Sequence, residues 1–438
     1  MSIMLLTILL VLGILCVFAI GIPVGFGLGA VAMLFAAFTW GPQAFKVIPT
    51  TAFNAISGFV LLSIPLFIFM GALLQRSGLG EAMFHAMHVL AGRIRGGLAV
   101  GVIIVCTMMG AMVGTIGPGV MTAGTIALPP MLKRGYNKHL ALGSIMAGGG
   151  MGILIPPSVP MILFASVTQV SIGKMFAGGL IPGLIMSGLF IVYIVTRCYF
   201  QPEMGPTMSI EESGGSRNKL IAIRDAILAF LLIFMVLGSI LFGIATPTEA
   251  AAVGAVGAAL IALVYGKLTL GVIKEASIQT MRLTGMCVWI LIGATVFSNF
   301  HMLMGAQKLL TSMTLFEGIS PMGIIAMMQL SMLVMGCFID EWIIVLICGP
   351  LYTPIAVALG FDPIWFGILM ILNIEIAIQT PPYGFALFYL KGIAPPDCTM
   401  FDIYKSIGPF VTIKLCVLAL VMFLPDLVTW LPRLIFDG

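Results

Sequence analysis

The chain has 438 residues, 61% of them hydrophobic and 8% charged, with mean hydropathy +1.19. That excess of apolar residues excludes a water-soluble globular protein and implies a polytopic membrane protein. The formal charge of +4 is scattered through short loops and gives no reason to expect nucleic acid; the eight cysteines stand apart, without C-x-x-C spacing, as small buried hydrophobes do.

In chain order, hydropathy predicts spans over 2–20 and 22–40, a polar arm over 41–56 and a third span over 58–76. The first run has no charged n-region and no A-x-A site, so it reads as a span and not a removable signal. An amphipathic stretch, 77–95, follows. The next apolar stretch, 96–132, is interrupted at GTIGPG, 114–119. At ~1.5 Å per residue it is too long for one crossing of a ~30 Å core, so a re-entrant hairpin is predicted. Residues 139–176 form a span broken at Pro156-Pro157, in GGGMGILIPPSVPMILF (148–164), and 179–199 close the half. Tandem proline removes backbone donors and clashes with the preceding turn, so the helix must open there. A polar stretch, 200–223, reads as a cytoplasmic linker.

The second half repeats the order. Spans are predicted over 224–243 and 249–265, a polar arm over 266–283, a span over 284–300 and an amphipathic stretch over 301–319. A hairpin over 321–358 is interrupted at FIDEW, 338–342. A span over 363–392 is broken at Pro381-Pro382, in NIEIAIQTPPYGFALFY (373–389), and 406–424 close the half. An offset of 225 residues relates the halves. Pro129 falls on Pro354, Gly135 on Gly360, Ile153 on Ile378, and Met175-Phe176 on Met400-Phe401. This reads as an internal duplication.

Counting each hairpin as no crossing leaves five crossings per half. An odd number inverts the second half. Arg76, Arg93, Arg95, Lys133, Arg134, Lys138, Arg197, Arg217, Lys219, Arg224, Lys267, Lys274, Arg282, Lys391 and Lys405 then share one side. Lys46, Lys174, Lys308 and Arg433 take the other. The positive-inside rule makes the first side cytoplasmic, with both termini outward. The predicted fold is an all-α polytopic membrane protein of two inverted repeats, 1–199 and 224–438. The hairpins and broken spans occupy 96–176 and 321–392; the remaining spans lie in 1–95, 179–199, 224–320 and 406–424.

Interrupted helices at matching positions of two halves point to a transport site. Opened ends offer carbonyls to a desolvated Na⁺ and N–H groups to a carboxylate or sulfonate. Thr115 and Ser158 bring hydroxyls to the first pair of breaks, Thr380 to the second, and Asp340 adds a charge at the second tip. Each has a plainer reading. Thr115 and Ser158 fit as helix caps. Asp340 and Glu341 fit an interfacial loop if the hairpin is absent. Glu375 fits a coupling acid or a helix-to-helix hydrogen bond, and Asn373 and Gln379 fit as partners for freed backbone. His85 and His88, three apart with no third ligand in view, fit an interfacial position better than a metal pair. GGGMG lacks the Lys-Ser/Thr of a phosphate loop, and no H-E-x-x-H or G-x-S-x-G occurs, so no enzyme is expected.

Four ordered strings then resemble the large membrane (M, or DctM-like) subunit of tripartite ATP-independent periplasmic (TRAP) transporters. They are SIPLFIFMGALL (63–74), LPPMLKRGYNKHLALGSIMAGGGMGILIPPSVPMILF (128–164), GIATPTEAAAVGA (243–255) and MGCFIDEWIIVLICGPLYTPIAVALGFDPIWFGILMILNIEIAIQTPPYG (335–384). The resemblance implies a Na⁺-coupled importer of organic acids in a bacterial inner membrane, working by an elevator motion of transport parts, 96–176 and 321–392, against scaffold spans, 1–95, 179–199, 224–320 and 406–424. It implies no cofactor beyond the coupling ion. It implies two partners, a small four-helix membrane subunit and a soluble periplasmic binding protein. It maps one sodium site onto Gly114, Thr115, Gly117 and Ser158, and another onto Gly336, Asp340, Thr380 and Gly384. The substrate would meet Thr115, Pro157, Ser158, Thr380, Pro382 and Tyr383. Val113 stands where many members carry the first serine of the tip, which leaves backbone carbonyls as the alternative to side-chain ligation there. The stretch TPPYGFALFYLKGIAPP departs from sialic-acid-type members, so a sugar acid is not the first expectation. Two rivals are a stand-alone ion-coupled dicarboxylate symporter and a membrane subunit of a redox-driven pump. The second would need a chain of buried ionisable groups along the midplane, whereas the acids here cluster at the breaks.

Overall fold

The computed structural model describes residues 3–91, 94–207, 216–305 and 319–437, and among them there is no strand. The first half contains α1 (Ile3–Ala19), α2 (Val24–Trp40), α3 (Ala44–Ile56), α4 (Ser63–Arg76) and α5 (Leu79–Ala91). It continues with α6 (Gly97–Val113), α7 (Ile116–Lys133), α8 (Lys138–Gly150), α9 (Val159–Thr168) and α10 (Ile172–Phe200). The second half contains α11 (Ser216–Ile233, prolonged through a π turn to Leu241), α12 (Pro247–Val264) and α13 (Leu270–Leu303). Then come α14 (Pro321–Gly336), α15 (Glu341–Ala358), α16 (Pro363–Ala377), α17 (Phe385–Ile393), α18 (Met400–Phe423) and α19 (Asp426–Phe436). Among the described residues, seven helices are long and apolar enough to cross a membrane.

Helix starts follow local chemistry, and the 225-residue offset recurs in that chemistry. Asn137 caps α8 by accepting from His139 N and Leu140 N; Asp362 caps α16 by accepting from Ile364 N and Trp365 N. Gly135 and Gly360, two residues earlier, hold φ of 76° and 87°. Both proline pairs are cis. The TPTE string is a capping box: Thr246 Oγ1 accepts from Glu249 N, and Glu249 returns its carboxylate to Thr246 N.

Contacts between the halves are reciprocal. In the outer layer α2 packs on α13 and α4 on α12. In the inner layer α6 and α7 pack on α8, as α14 and α15 pack on α16. The halves then interlock, α9 lying along α15 and α17 along α7. Helices α10 and α18 join this inner layer, α10 against α6 and α16, α18 against α8 and α16. Small residues permit the crossings. At the α2–α13 contact, a Cβ on Gly293 would run into the backbone carbonyl of Gly25.

The structure redraws several expected boundaries. The closing span of the first half starts at Ile172, not near 179, because Gln169 turns into the left-handed region (φ 59°) and Ser171 caps the new helix. The polar arm 266–283 and the span 284–300 are one continuous helix, α13: no proline interrupts them, and polarity alone does not end a helix. The expected linker 200–223 is shorter, since α11 begins at Ser216. Its first residues are docked, with Gly96 N donating to Gly205 O and Asn137 N to Met204 O. Helix α19 was not expected; Asp426 sits in its first turn, after Pro425. The expected roles of Arg93 and Lys308, the side chains of Arg217 and Lys219, and most of 301–319 fall outside the described residues.

Two glycine substitutions should have opposite signs in thermal unfolding of the purified protein. Gly293→Ala forces two backbones apart and is expected to cost about 1–3 kcal/mol. Gly188→Ala meets open space inside α10 and is expected to gain about 0.5–1 kcal/mol through helix propensity.

Candidate functional site

The first hairpin turns between α6 and α7 on two residues. Gly114, at φ 69°, closes α6 onto Gly110 O and accepts from Val159 N at 3.2 Å. A Cβ at Gly114 would stand 2.7 Å from Pro157 O, and one at Gly152 would stand 2.8 Å from Thr115 O. The first tip thus lies directly on the first break, with no room for a side chain on either glycine. Thr115 is the extended N-cap residue of α7, yet its side chain makes no cap bond. Ser158 is fully buried; its Oγ donates to Ile153 O and accepts from Met161 N, so it caps α9. Gly117 turns from Ser158 toward the second half, against the Tyr389 ring.

At the second tip Asp340, the positional counterpart of Thr115, caps α15 by accepting from Trp342 N at 3.0 Å. The link from tip to break passes through Cys337: its carbonyl accepts from Gly384 N at 3.3 Å, and its Sγ lies 3.9 Å from Pro381 O. Gly336 serves close helix contact instead, pressed on Ala377. Thr380 Oγ1 donates to Ile376 O at 2.6 Å, and Tyr404 OH donates to Pro382 O at 3.0 Å. Gly384 holds φ 51° with no side-chain cap for α17. The breaks differ in exposure. Pro156, Pro157 and Ser158 are buried, whereas Pro381, Pro382 and Tyr383 are exposed.

The two tips meet at a cavity of about 40 Å³ lined by Ile116, Gly117, Asp340, Glu341, Phe385 and Tyr389, among others. It has room for one water or one ion. Four helices begin near the breaks. Those capped by side chains are α9 and α15; those without a side-chain cap are α7 and α17. Both uncapped starts line this cavity, together with both carboxylates. Gly117 and Tyr389 also line a crevice of about 520 Å³ with Arg76, Pro118, Gln279 and Arg282. A second crevice, of about 660 Å³, lies further along α13, between Thr295, Ser298 and Asn299 on one side and Gln169 and Thr353 on the other.

Lys414 escaped the sequence reading. It is fully buried, its Nζ 2.8 Å from Glu375 Oε1 and 2.6 Å from Gln379 Oε1. Gln379 Nε2 donates to Met146 O in the other half at 3.0 Å. Glu375 therefore has an ionic partner, and Gln379 bridges helices where it was expected to satisfy backbone freed by the break. Asn373 Nδ2 donates to the Gln329 carbonyl and side chain. The signal was present: Lys414 is the one charged residue between Lys405 and Asp426, and a charge in mid-span is seldom idle. His85 and His88 stack with centroids 6.4 Å apart, and among the described residues no group of three His, Cys, Asp or Glu could hold a metal.

Residues 11–427 match the family described as "Tripartite ATP-independent periplasmic transporter, DctM component". The chain is 33% identical to the C4-dicarboxylate TRAP transporter large permease protein DctM of Vibrio cholerae, covering 98% of this chain and 97% of that one. It is 29% identical to the isethionate TRAP transporter permease protein DctMQ of Oleidesulfovibrio alaskensis, covering 93% of this chain and 63% of that one. The fold is similar to the solved YdaH transporter of Alcanivorax borkumensis, with TM-score 0.69, 13% identity, and 89% and 90% of the two chains covered.

Gly114→Ala should damage the first tip. It combines a left-handed φ with a clash on Pro157 O, so a cost of about 1–3 kcal/mol is expected. The check is a lowered unfolding midpoint in detergent, with Gly188→Ala as the control in which no such loss occurs.

Proposed function

The chain belongs to the DctM component family of tripartite ATP-independent periplasmic transporters, and from that premise we propose that it is the large permease subunit of a Na⁺-driven importer for a small organic acid anion. The observation that carries this reading is the cavity where two side-chain-free helix starts meet Asp340 and Glu341. The backbone N–H groups of Ile116 and Gly117 at the start of α7 suit an anion and need no arginine to hold it, whereas at α17 Gly384 N and Ala386 N already donate to Cys337 O and Ile378 O. The carboxylates, the Gly114 and Thr115 carbonyls and the hydroxyls of Thr115, Ser158 and Thr380 are oxygen donors for a hard cation. One charge on the cation is worth about 2.3 kcal/mol per 100 mV of membrane potential. An anion charge moving the same way costs as much, so the potential drives import only when the cations outnumber the anion's charges; at equal charge the Na⁺ concentration gradient is the drive.

The two halves are read as inverted repeats, both termini facing the periplasm across the inner membrane. The reciprocal contacts and the repeated caps support this. The moving body is read as 96–176 with 321–392; the spans 179–199 and 406–424, expected in the scaffold, are read with the moving body instead, because α10 and α18 pack on it. The outer helices α2, α4, α12 and α13 are the frame. The two crevices along α13 support a slide against that frame, each lying between frame and moving body. A periplasmic binding protein would deliver the anion, and a small four-helix subunit would complete the frame. The relatives' names make a C4-dicarboxylate the first substrate to test and isethionate the second.

Reconstitution tests the reading. Proteoliposomes with both partner subunits, given binding protein and labelled succinate or isethionate, should accumulate one of them only under an inward Na⁺ gradient. Uptake without binding protein, or with K⁺ in place of Na⁺, would sink the proposal. Thr380→Ala and Asp340→Asn should each raise the Na⁺ concentration for half-maximal uptake by about tenfold, the usual penalty around a metal site. Ser158→Ala should do the same while also losing a cap worth about 1 kcal/mol.

A further inference from the structure

The two breaks are braced differently. The first is held by close backbone contact: Gly114 against Pro157, Val159 N on Gly114 O, and Gly152 against Thr115. Every one of its residues is buried. The second is exposed at Pro381, Pro382 and Tyr383; its tip contacts are a long bond from Gly384 N to Cys337 O and Cys337 Sγ at 3.9 Å from Pro381 O, with Ala386 N on Ile378 O and Tyr404 OH on Pro382 O beside them. The end of α16 is braced further by buried side chains. Gln379 stands one residue before Thr380, and its amide is held at both ends, by Lys414 Nζ and by Met146 O. Lys414 in turn is neutralised by Glu375, one turn back on α16. All three side chains are fully buried. Three helices from both halves, α8, α16 and α18, are joined through one amide.

The positional counterparts in the first half are Gly150 for Glu375, Leu154 for Gln379 and Leu189 for Lys414. No charged group is built there. Gly150 also makes room for the cluster. A Cβ on it would collide with Gln379 Nε2 and stand 2.9 Å from Glu375 Oε1. A buried ion pair is a poor source of net stability, since apolar residues of the same shape serve as well or better. At membrane depth it is costlier still. Its presence in one half only, beside the looser break, is better explained by position than by stability.

We propose that Lys414, Glu375 and Gln379 form a clamp that positions the second break, residues 378–384, for cation binding, with Gly150 shaped to admit it. The three are positioning residues, touching no ion themselves. The proposal rests on the reading of that break as a sodium site.

The test is thermal unfolding of the purified protein in detergent, titrated with NaCl against choline chloride at constant ionic strength. Glu375→Gln/Lys414→Met removes both charges together and leaves no lone buried ion. The expected result is a Na⁺ midpoint raised by about tenfold or more, with the melting temperature in choline within a few degrees of the parent. Gln379→Met, which keeps the ion pair and cuts its link to the loop, should give the same shift and stands in if the double variant fails to fold. An unchanged Na⁺ midpoint in the variants would overturn the clamp and leave the sodium site intact. A parent protein with no Na⁺-dependent shift would overturn the sodium site and the clamp with it. A lowered melting temperature in choline with the parent's Na⁺ midpoint would make the cluster merely structural, and would also overturn it.

Discussion

No water is available in hydrocarbon to satisfy an open peptide group, so a membrane protein that breaks its helices must bury each break in protein or open it to a water-filled cavity. The polypeptide opens at four points, and in each half the tip lies on that half's own break, through Gly114 and Pro157 in the first and Cys337 and Gly384 in the second. Helix α17, which starts at the second break, lies along α7 of the first hairpin, and α9 lies along α15. This interlock of the halves brings the two tips to one small cavity.

Much of this was legible in the chain. The proline pairs announced the openings, because no helix passes tandem proline unaltered. The glycine-rich tip 114–119 and the acidic tip 338–342 announced the hairpins. Capping residues stand at the same offset in the structure, Asn137 on α8 and Asp362 on α16. Individual side-chain roles were harder to read. Ser158 and Asp340 look like ligands in sequence and act as caps in the structure, while Thr115 sits at a cap position and caps nothing. A hydroxyl at a break is compatible with either role, and only the rotamer decides.

What the sequence hid was non-local or too uniform to see. Lys414 meets Glu375 across two helices, and no spacing within one element reveals such a pair. The turn at 169–171 holds Val170 between Val167 and Ile172 and disappears in a hydropathy average. In α13 the change from polar to apolar composition suggested two elements; the backbone has no reason to stop there, since Leu270–Leu303 contains no proline. The positional counterpart in the first half is jointed, with α3 ending at Ile56, a short turn, and α4 beginning at Ser63.

That difference gives the outer helices unequal mechanics. A continuous rod of 34 residues is about 50 Å long and resists bending along its whole length. The segmented counterpart can flex at its joint with no helical hydrogen bond broken. Strain arriving from the membrane will therefore be absorbed on one flank and transmitted on the other. A molecule assembled from two similar halves thereby acquires a stiff side and a compliant side, and with them a preferred direction of deformation.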